Sequence, residues 1–134
     1  MSDETPTVAE RGDRMRRQVL GDAHAERFRA HTTEFTRPLQ DLVTEYCWGA
    51  VWTRPGLEPK TRSLLNLAML TALGDMDEFA VHVKGAVTNG VTALEIREVL
   101  LQASIYCGVP AGVKATRTAQ TVLDTLERDG LLPR

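Results

Sequence analysis

Apolar residues recur at helical spacing along most of this chain, and they are densest between Leu57 and Val91. The part from Arg62 to Leu73 is apolar on nearly every side, so we expect a helix enclosed by other helices or by a partner subunit. Pro59 is typical of a first helical turn, because the amide hydrogen that proline lacks is not needed there. Gly74 is typical of a helix end.

A second helix is predicted directly after Gly74. Asp75 and Glu78 form a D-x-x-E start, a relative of the capping box, and Asn89-Gly90 provides a stop. Four residues share one face of this helix at helical spacing: Phe79, His82, Val83 and Ala86. His82 therefore points with the apolar residues, and its spacing is compatible with a buried structural histidine or with acid–base chemistry.

The flanking segments also follow helical periods. Helices are predicted over 11–20, 23–30, 33–52, from the T-x-x-E start at Thr92 to Gly108, and from Pro110 to Arg128. In the third helix the predicted inward stripe is Leu39, Leu42, Val43, Tyr46, Cys47 and Ala50, bordered by Glu45 and Trp48. In the helix after Thr92 it is Ile96, Val99, Leu100, Ala103, Tyr106 and Cys107.

No segment has the pattern of a β-strand. We therefore predict an all-α protein, a compact bundle of about six helices. Residues 1–134 are expected to form a single domain, of which 1–10 are flexible. The central helix is apolar on all sides, and a chain of this length has too few other helices to cover its whole surface. We therefore also expect a homo-oligomer.

Composition narrows the classes of function. The chain has 134 residues, 43% hydrophobic and 25% charged, with a net charge of −2. No basic patch is interleaved with aromatic residues, which argues against nucleic acid as a partner. The arginines at positions 11, 14, 16 and 17 indicate the solvated face of a first helix.

Location and redox chemistry follow from the apolar runs and the cysteines. The first twenty residues lack the apolar core of a secretory signal, and the central apolar helix falls short of the roughly 20 residues that span a membrane. Cys47 and Cys107 lie in apolar helical patterns and are expected to be buried thiols. The absence of C-x-x-C excludes the usual redox or zinc spacing. We expect a cytoplasmic protein with no membrane partner and no metal.

Five motifs resemble the gamma-carboxymuconolactone decarboxylases, within the carboxymuconolactone decarboxylase family and the alkylhydroperoxidase-D-like superfamily. They are RRQVLGDAH at 16–24, TEFTRPLQDLVTEYCWGAVWTRPGL at 33–57, KTRSLLNLAMLTALG at 60–74, HVKGAVTNGVT at 82–92 and EIREVLLQASIYCGVPA at 95–111. The resemblance implies the all-α alkylhydroperoxidase-D-like fold. It also implies a homohexamer built from trimers or dimers, with neither a metal nor an organic cofactor.

The activity implied by the resemblance is decarboxylation of gamma-carboxymuconolactone to beta-ketoadipate enol-lactone in protocatechuate degradation. His82 is then expected as the acid or oxyanion donor, and Glu45 as an orienting partner or proton relay with a pKa raised by desolvation beside Trp48. Arg54 and Arg62 are candidates for the substrate's carboxylates, since a guanidinium matches a carboxylate with two hydrogen bonds. Trp48, Trp52 and Tyr106 are candidate pocket walls, or plain core residues.

The sequence also bears on three alternative functions. Peroxidases of the same superfamily use C-x-x-C before the histidine, but those positions hold Asp75 and Glu78 here, so thiol peroxidase activity is not expected. Met76 departs from the decarboxylase pattern, and Val113 and Thr116 replace an asparagine and a phenylalanine. These departures favour a related enzyme for another small lactone or enol substrate. A helical oligomer that binds without catalysis is the third alternative.

Overall fold

The computed structural model describes residues 4–133, and these residues form seven α-helices. The helices are α1 Val8–Leu20, α2 Asp22–Ala30, α3 Arg37–Leu42, α4 Pro59–Leu73, α5 Met76–Thr88, α6 Ala93–Cys107 and α7 Val109–Arg128. A π-helical segment, Val43–Val51, continues α3. No strand occurs among the described residues, so the all-α prediction is confirmed. The chain divides into two compact units, one ending at Leu57 and the other beginning at Glu58.

The first helix of the first unit begins earlier than its predicted start at residue 11. Thr7 accepts the amide hydrogen of Glu10 at 3.1 Å, and the Glu10 carboxylate accepts the Thr7 amide hydrogen at 2.8 Å. This reciprocal capping box starts α1 at Val8. Residues 8–10, predicted to belong to a flexible segment, are therefore helical, while residues 1–3 lie outside the described part of the chain.

Close backbone approach joins α1 to the π-helical segment. A Cβ atom at Gly12 would collide with the carbonyl oxygen of Thr44, and one at Gly49 with the carbonyl oxygen of Val8. Only glycine leaves room for these contacts. The two glycines thus let the backbone of α1 lie directly against the segment that carries Glu45 and Trp48.

The predicted inward face of the third helix is wrong. Leu39, Leu42 and Tyr46 are exposed, whereas Trp48 is buried. The amide of Trp52 bonds the carbonyl of Cys47, five residues back, so the turns here are wider than in an α-helix. A stripe drawn at α-helical spacing therefore rotates away from the face that the segment buries.

The second unit consists of α4 to α7, with α5 and α6 each packed against both α4 and α7. The local signals predicted for its helix ends are confirmed. Gly74 ends α4 in the left-handed conformation, the Asp75 side chain accepts the Glu78 amide hydrogen, and Thr92 and Glu95 form a full capping box. The most deeply buried apolar residues of its core are Leu67, Phe79, Val83, Ala86, Val91, Ile96 and Ala115.

One face of α4 is left uncovered in this chain. Leu65, Met69 and Leu73, spaced four residues apart, are 45%, 53% and 78% exposed. Cys47 and Cys107 are also exposed, so the prediction of buried thiols is wrong within a single chain. Among residues 4–133, no helix is both long enough and apolar enough to cross a bilayer.

Candidate active site

His82 lies on the buried face of α5, where the sequence pattern placed it, and is only 7% exposed. Its ring meets α4 across the helix pair, since the side-chain amide nitrogen of Asn66 lies 3.4 Å from Nδ1. When the amide NH₂ group donates to Nδ1, the neutral imidazole carries its proton on Nε2. In that orientation of the amide, Nε2 is the ring nitrogen that can donate outward.

Glu78 stands one turn before His82 on α5. Its Oε2 atom lies 3.8 Å from His82 Nε2, in the i, i+4 relation that brings helical side chains together. The Glu78 side chain is 58% exposed, yet partial desolvation raises the pKa of its carboxyl group above the ordinary value, with smaller contributions from Asp75 and Asp77. An Asn–His–Glu arrangement of this kind can hold a proton and release it.

A second polar link holds α4 and α5 in register. The Asn89 amide donates to Ser63 Oγ at 2.9 Å and to the Pro59 carbonyl oxygen at 3.4 Å. Ser63 is fully buried, so this hydrogen bond satisfies a group that has no access to water. Because Ser63 and Asn66 lie on neighbouring turns of α4, the link helps to place Asn66 opposite His82.

Two other candidate residues lie in the second unit. Arg62 is half-buried on α4. Tyr106, predicted to point inward, is 84% exposed and lines an open groove of about 310 Å³ between α4 and α6. Its inward placement is therefore wrong within the single chain. The groove is mostly apolar, with Leu64, Leu65 and Ala68 among its walls.

The remaining candidates belong to the first unit. Trp48 and Trp52 are each 4% exposed and stack on one another, with ring centroids 4.9 Å apart. Both indoles are thus buried, which agrees with their alternative interpretation as core residues. Glu45 and Arg54 are exposed. The burial beside Trp48 that was predicted for Glu45 is therefore not seen within the single chain.

Asn66 and Glu78 were not among the residues predicted for the site. Glu78 was interpreted only as part of a helix start, although its spacing from His82 already allowed contact on one face. Asn66 had no comparable signal, because its role depends on which turn of α4 packs against α5. Among the described residues, no group of three His, Cys, Asp or Glu side chains is arranged to hold a metal ion.

Known proteins resemble this chain over most of its length. A sequence model of the carboxymuconolactone decarboxylase family matches residues 37–121. The chain is 43% identical over 119 residues to the nitrosuccinic acid decarboxylase of Metarhizium robertsii, covering 89% of this chain and 83% of that one. It is 39% identical over 115 residues to the 4-carboxymuconolactone decarboxylase of Acinetobacter baylyi, covering 86% of each.

We predict that neutral His82 carries its proton on Nε2 and that Asn66→Ala removes this preference. The ¹⁵N chemical shifts of the ring, measured in the full chain, report the tautomer directly. Asn89→Ala is the matched control, because it removes an amide that also links α4 and α5 but bonds Ser63 instead of the histidine. A parent protein with the proton on Nδ1, or equal shifts in Asn66→Ala and the parent, would contradict the assignment.

Proposed function

We propose, from the premise that this chain belongs to the carboxymuconolactone decarboxylase family, that it catalyses the cofactor-independent decarboxylation of gamma-carboxymuconolactone to beta-ketoadipate enol-lactone. The observation that carries the proposal is His82, buried on α5 and held between Asn66 and Glu78. Two decarboxylases among the relatives support the reaction class.

The chemistry of the substrate explains how a few side chains suffice. The lactone ring has an sp³ carbon that carries both a carboxylate and an acetate arm. When CO₂ leaves, its bonding electrons pass through the ring double bond to the lactone carbonyl and form a dienolate. One proton then adds to the ring carbon next to that carbonyl. The substrate is its own electron sink, so the protein has to supply hydrogen-bond donation to the growing charge and a proton.

His82 supplies this donation or this proton in the proposal. As a neutral ring it donates Nε2–H to the growing oxyanion; as an imidazolium it protonates carbon. Asn66 suits both states, because a half-turn of its amide replaces the NH₂ donor at Nδ1 by an oxygen acceptor. Glu78, with its raised pKa, is the group that returns the proton to Nε2.

The other roles rest on the family resemblance. Glu45 is proposed as an orienting carboxylate or proton relay, and Arg54 and Arg62 as partners of the substrate's carboxylates. Arg→Lys variants at these two positions, measured for KM and kcat separately, test that role. Trp48 and Trp52 are assigned to packing, and Tyr106 to the wall of the apolar groove between α4 and α6.

A second candidate substrate is nitrosuccinate, which the relative from Metarhizium robertsii favours. Nitrosuccinate also has an sp³ carbon that carries a carboxylate and an acetate arm, and its nitro group accepts the electrons released by CO₂ as a nitronate. Both substrates thus need hydrogen-bond donation to the growing charge and protonation of a carbon, which is the ring carbon next to the carbonyl in the lactone and the carbon that lost CO₂ in nitrosuccinate. The two substrates differ in the shape and charge of the group that accepts the electrons. Val113 and Thr116, which depart from the decarboxylase sequence pattern, are the positions at which we expect a change of substrate to be reflected.

The two substrates can be separated by one assay. We expect the purified chain, without added metal or thiol reductant, to release CO₂ from gamma-carboxymuconolactone faster than the uncatalysed reaction. Nitrosuccinate is the parallel substrate under the same conditions. A higher kcat/KM with nitrosuccinate would replace the lactone by the second candidate. Absence of turnover with both would favour the non-catalytic helical oligomer.

For His82, we predict that His82→Ala lowers kcat by about a hundredfold or more, the range expected for loss of a general acid. His31→Ala is the control, because His31 is an exposed histidine at the end of α2. Circular dichroism of both variants checks that the helices remain. A rate for His82→Ala within a few-fold of the parent rate would exclude the proposed role.

We also propose that the chain forms a homo-oligomer. The family resemblance implies a homohexamer. Support comes from the exposed face of α4, where Leu65, Met69 and Leu73 present apolar side chains to solvent. Burial of such a face against a second copy is favourable by about 25 cal/mol for each Å² of apolar surface removed from water.

We predict that the native mass of the protein is at least twice the 14.8 kDa of one chain. The substitution Met69→Glu is expected to lower this native mass. A charge in the middle of the apolar face has to be desolvated when copies associate. Thr121→Glu is the control, since it adds the same charge to an exposed position of α7. Light scattering at micromolar concentration measures both, and a monomeric parent or equal masses for the two variants would contradict the proposal.

A further inference from the structure

Arg16 is a buried cation in the first unit. It was predicted to lie on a solvated helix face, but it is only 4% exposed. Its Nη2 atom donates to Thr44 Oγ1 at 2.6 Å, and its Cζ atom lies 4.2 Å from the centre of the Phe28 ring. Among the described residues, no carboxylate forms an ion pair with Arg16 within 4.0 Å.

This environment leaves the charge of Arg16 incompletely compensated. A guanidinium has five N–H donors, and burial of a charge is costly unless it is paired and hydrogen-bonded. Burial lowers the pKa of Arg16 from its ordinary value, and interactions with Asp13 and Cys47 oppose this only in part. One hydroxyl and one aromatic face do not provide the two oxygen acceptors that a guanidinium fork fits best.

Arg16 lines a cavity of about 660 Å³ in the first unit, which is open to solvent. That volume is within the range of about 300–1,000 Å³ usual for small-molecule pockets. Four arginines line it (Arg14, Arg16, Arg29 and Arg37) together with three carboxylates (Glu10, Asp13 and Asp41). The lining therefore has a modest positive excess, which suits a singly charged anion better than a polyanion.

Two of those carboxylates already have partners. Asp13 bonds Arg17 Nε at 2.9 Å, and Glu10 bonds the Thr7 amide in the helix cap. The buried Oε1 atom of Gln40, also in the lining, has no hydrogen-bond partner among the described residues. The two ends of an amide are interchangeable by rotation, so the NH₂ group of Gln40 can take the position of this oxygen.

We propose that this cavity binds a small organic acid with one carboxylate next to an apolar body. The carboxylate accepts from the Arg16 guanidinium, and Gln40 donates to the same molecule. The apolar body rests among Ala9, Ala25 and the edge of Phe28, which share the lining. Binding at this site requires no decarboxylation, so this proposal does not depend on the proposed function.

The probe is benzoate, with benzamide as its neutral counterpart and inorganic phosphate as an anion that lacks the apolar body. Calorimetric titration of the full chain at constant ionic strength is expected to show binding of benzoate and not of benzamide. Arg16→Gln is expected to weaken benzoate binding by about tenfold or more, as charge-assisted hydrogen bonds are lost. Arg16→Lys, which keeps the charge but loses the fork, is expected to lie between the parent and Arg16→Gln.

Arg97→Gln is the matched control, because Arg97 is an exposed arginine of α6 in the other unit. If the Arg16 variants do not fold, the ¹⁵N signal of the Arg16 Nε–H group in the parent is followed instead. Benzoate must then shift it and benzamide must not. Equal binding of benzamide or of phosphate would overturn the proposal.

The proposal would also be overturned if the carboxylate that Arg16 binds came from a second copy of the chain and not from a free acid. If a side chain of a second copy occupies the cavity, benzoate will not bind, and Arg16→Gln will lower the native mass of the protein. Light scattering of the parent and of Arg16→Gln separates this outcome from the binding of a free acid.

Discussion

The second unit depends on the complete burial of one face of α5. Phe79, Val83 and Ala86 have no exposed surface, so any polar group on that face must find its partners inside the protein. His82 shares the face and meets Asn66 from α4 and Glu78 from its own helix. A buried polar group that lacks a hydrogen bond costs about 1–3 kcal/mol. Burial therefore converts a position in a helical period into a histidine with a defined orientation.

The first unit places an arginine in a comparable position, with a different outcome. Arg16 is as buried as the core tryptophans, but its contacts are a hydroxyl and an aromatic ring. His82 has a side chain beside each ring nitrogen: the Asn66 amide hydrogen-bonds to Nδ1, and the Glu78 carboxyl group, 3.8 Å from Nε2, can exchange a proton with it. Buried polar groups are more informative about function than exposed apolar ones, because each has to be compensated by a specific neighbour. In this chain, His82 and Arg16 are the buried polar groups on which the two proposed sites rest.

Association of copies connects packing with chemistry. The helices bury one apolar face within the chain, and several present a second apolar face to solvent, most clearly α4 with Leu65, Met69 and Leu73. In the proposed oligomer such faces would exclude water as well as stabilise the assembly. Exclusion of water strengthens the electrostatic interactions available to a histidine or an arginine at such a boundary.

The sequence by itself determined the helical class and most helix ends. Caps such as those at Asp75 and Thr92 depend on residues only three positions apart, so they could be predicted correctly. The burial of His82 was predicted for a similar reason, because its helix has one continuous apolar face. The catalytic roles of His82 and Glu45 and the substrate-binding roles of Arg54 and Arg62 came from the family resemblance, and they stay predictions.

The tertiary structure alone decided which faces are buried where more than one face is apolar, and which residues meet across helices. The π-helical turns of residues 43–51 bury Trp48 and leave Tyr46 exposed. Asn66 faces His82 and Arg16 enters the first unit because of how neighbouring helices pack. Such contacts join residues 16 or 28 positions apart. Periodicity describes only the order of residues around one helix, so it cannot specify the residue that a second helix brings into contact.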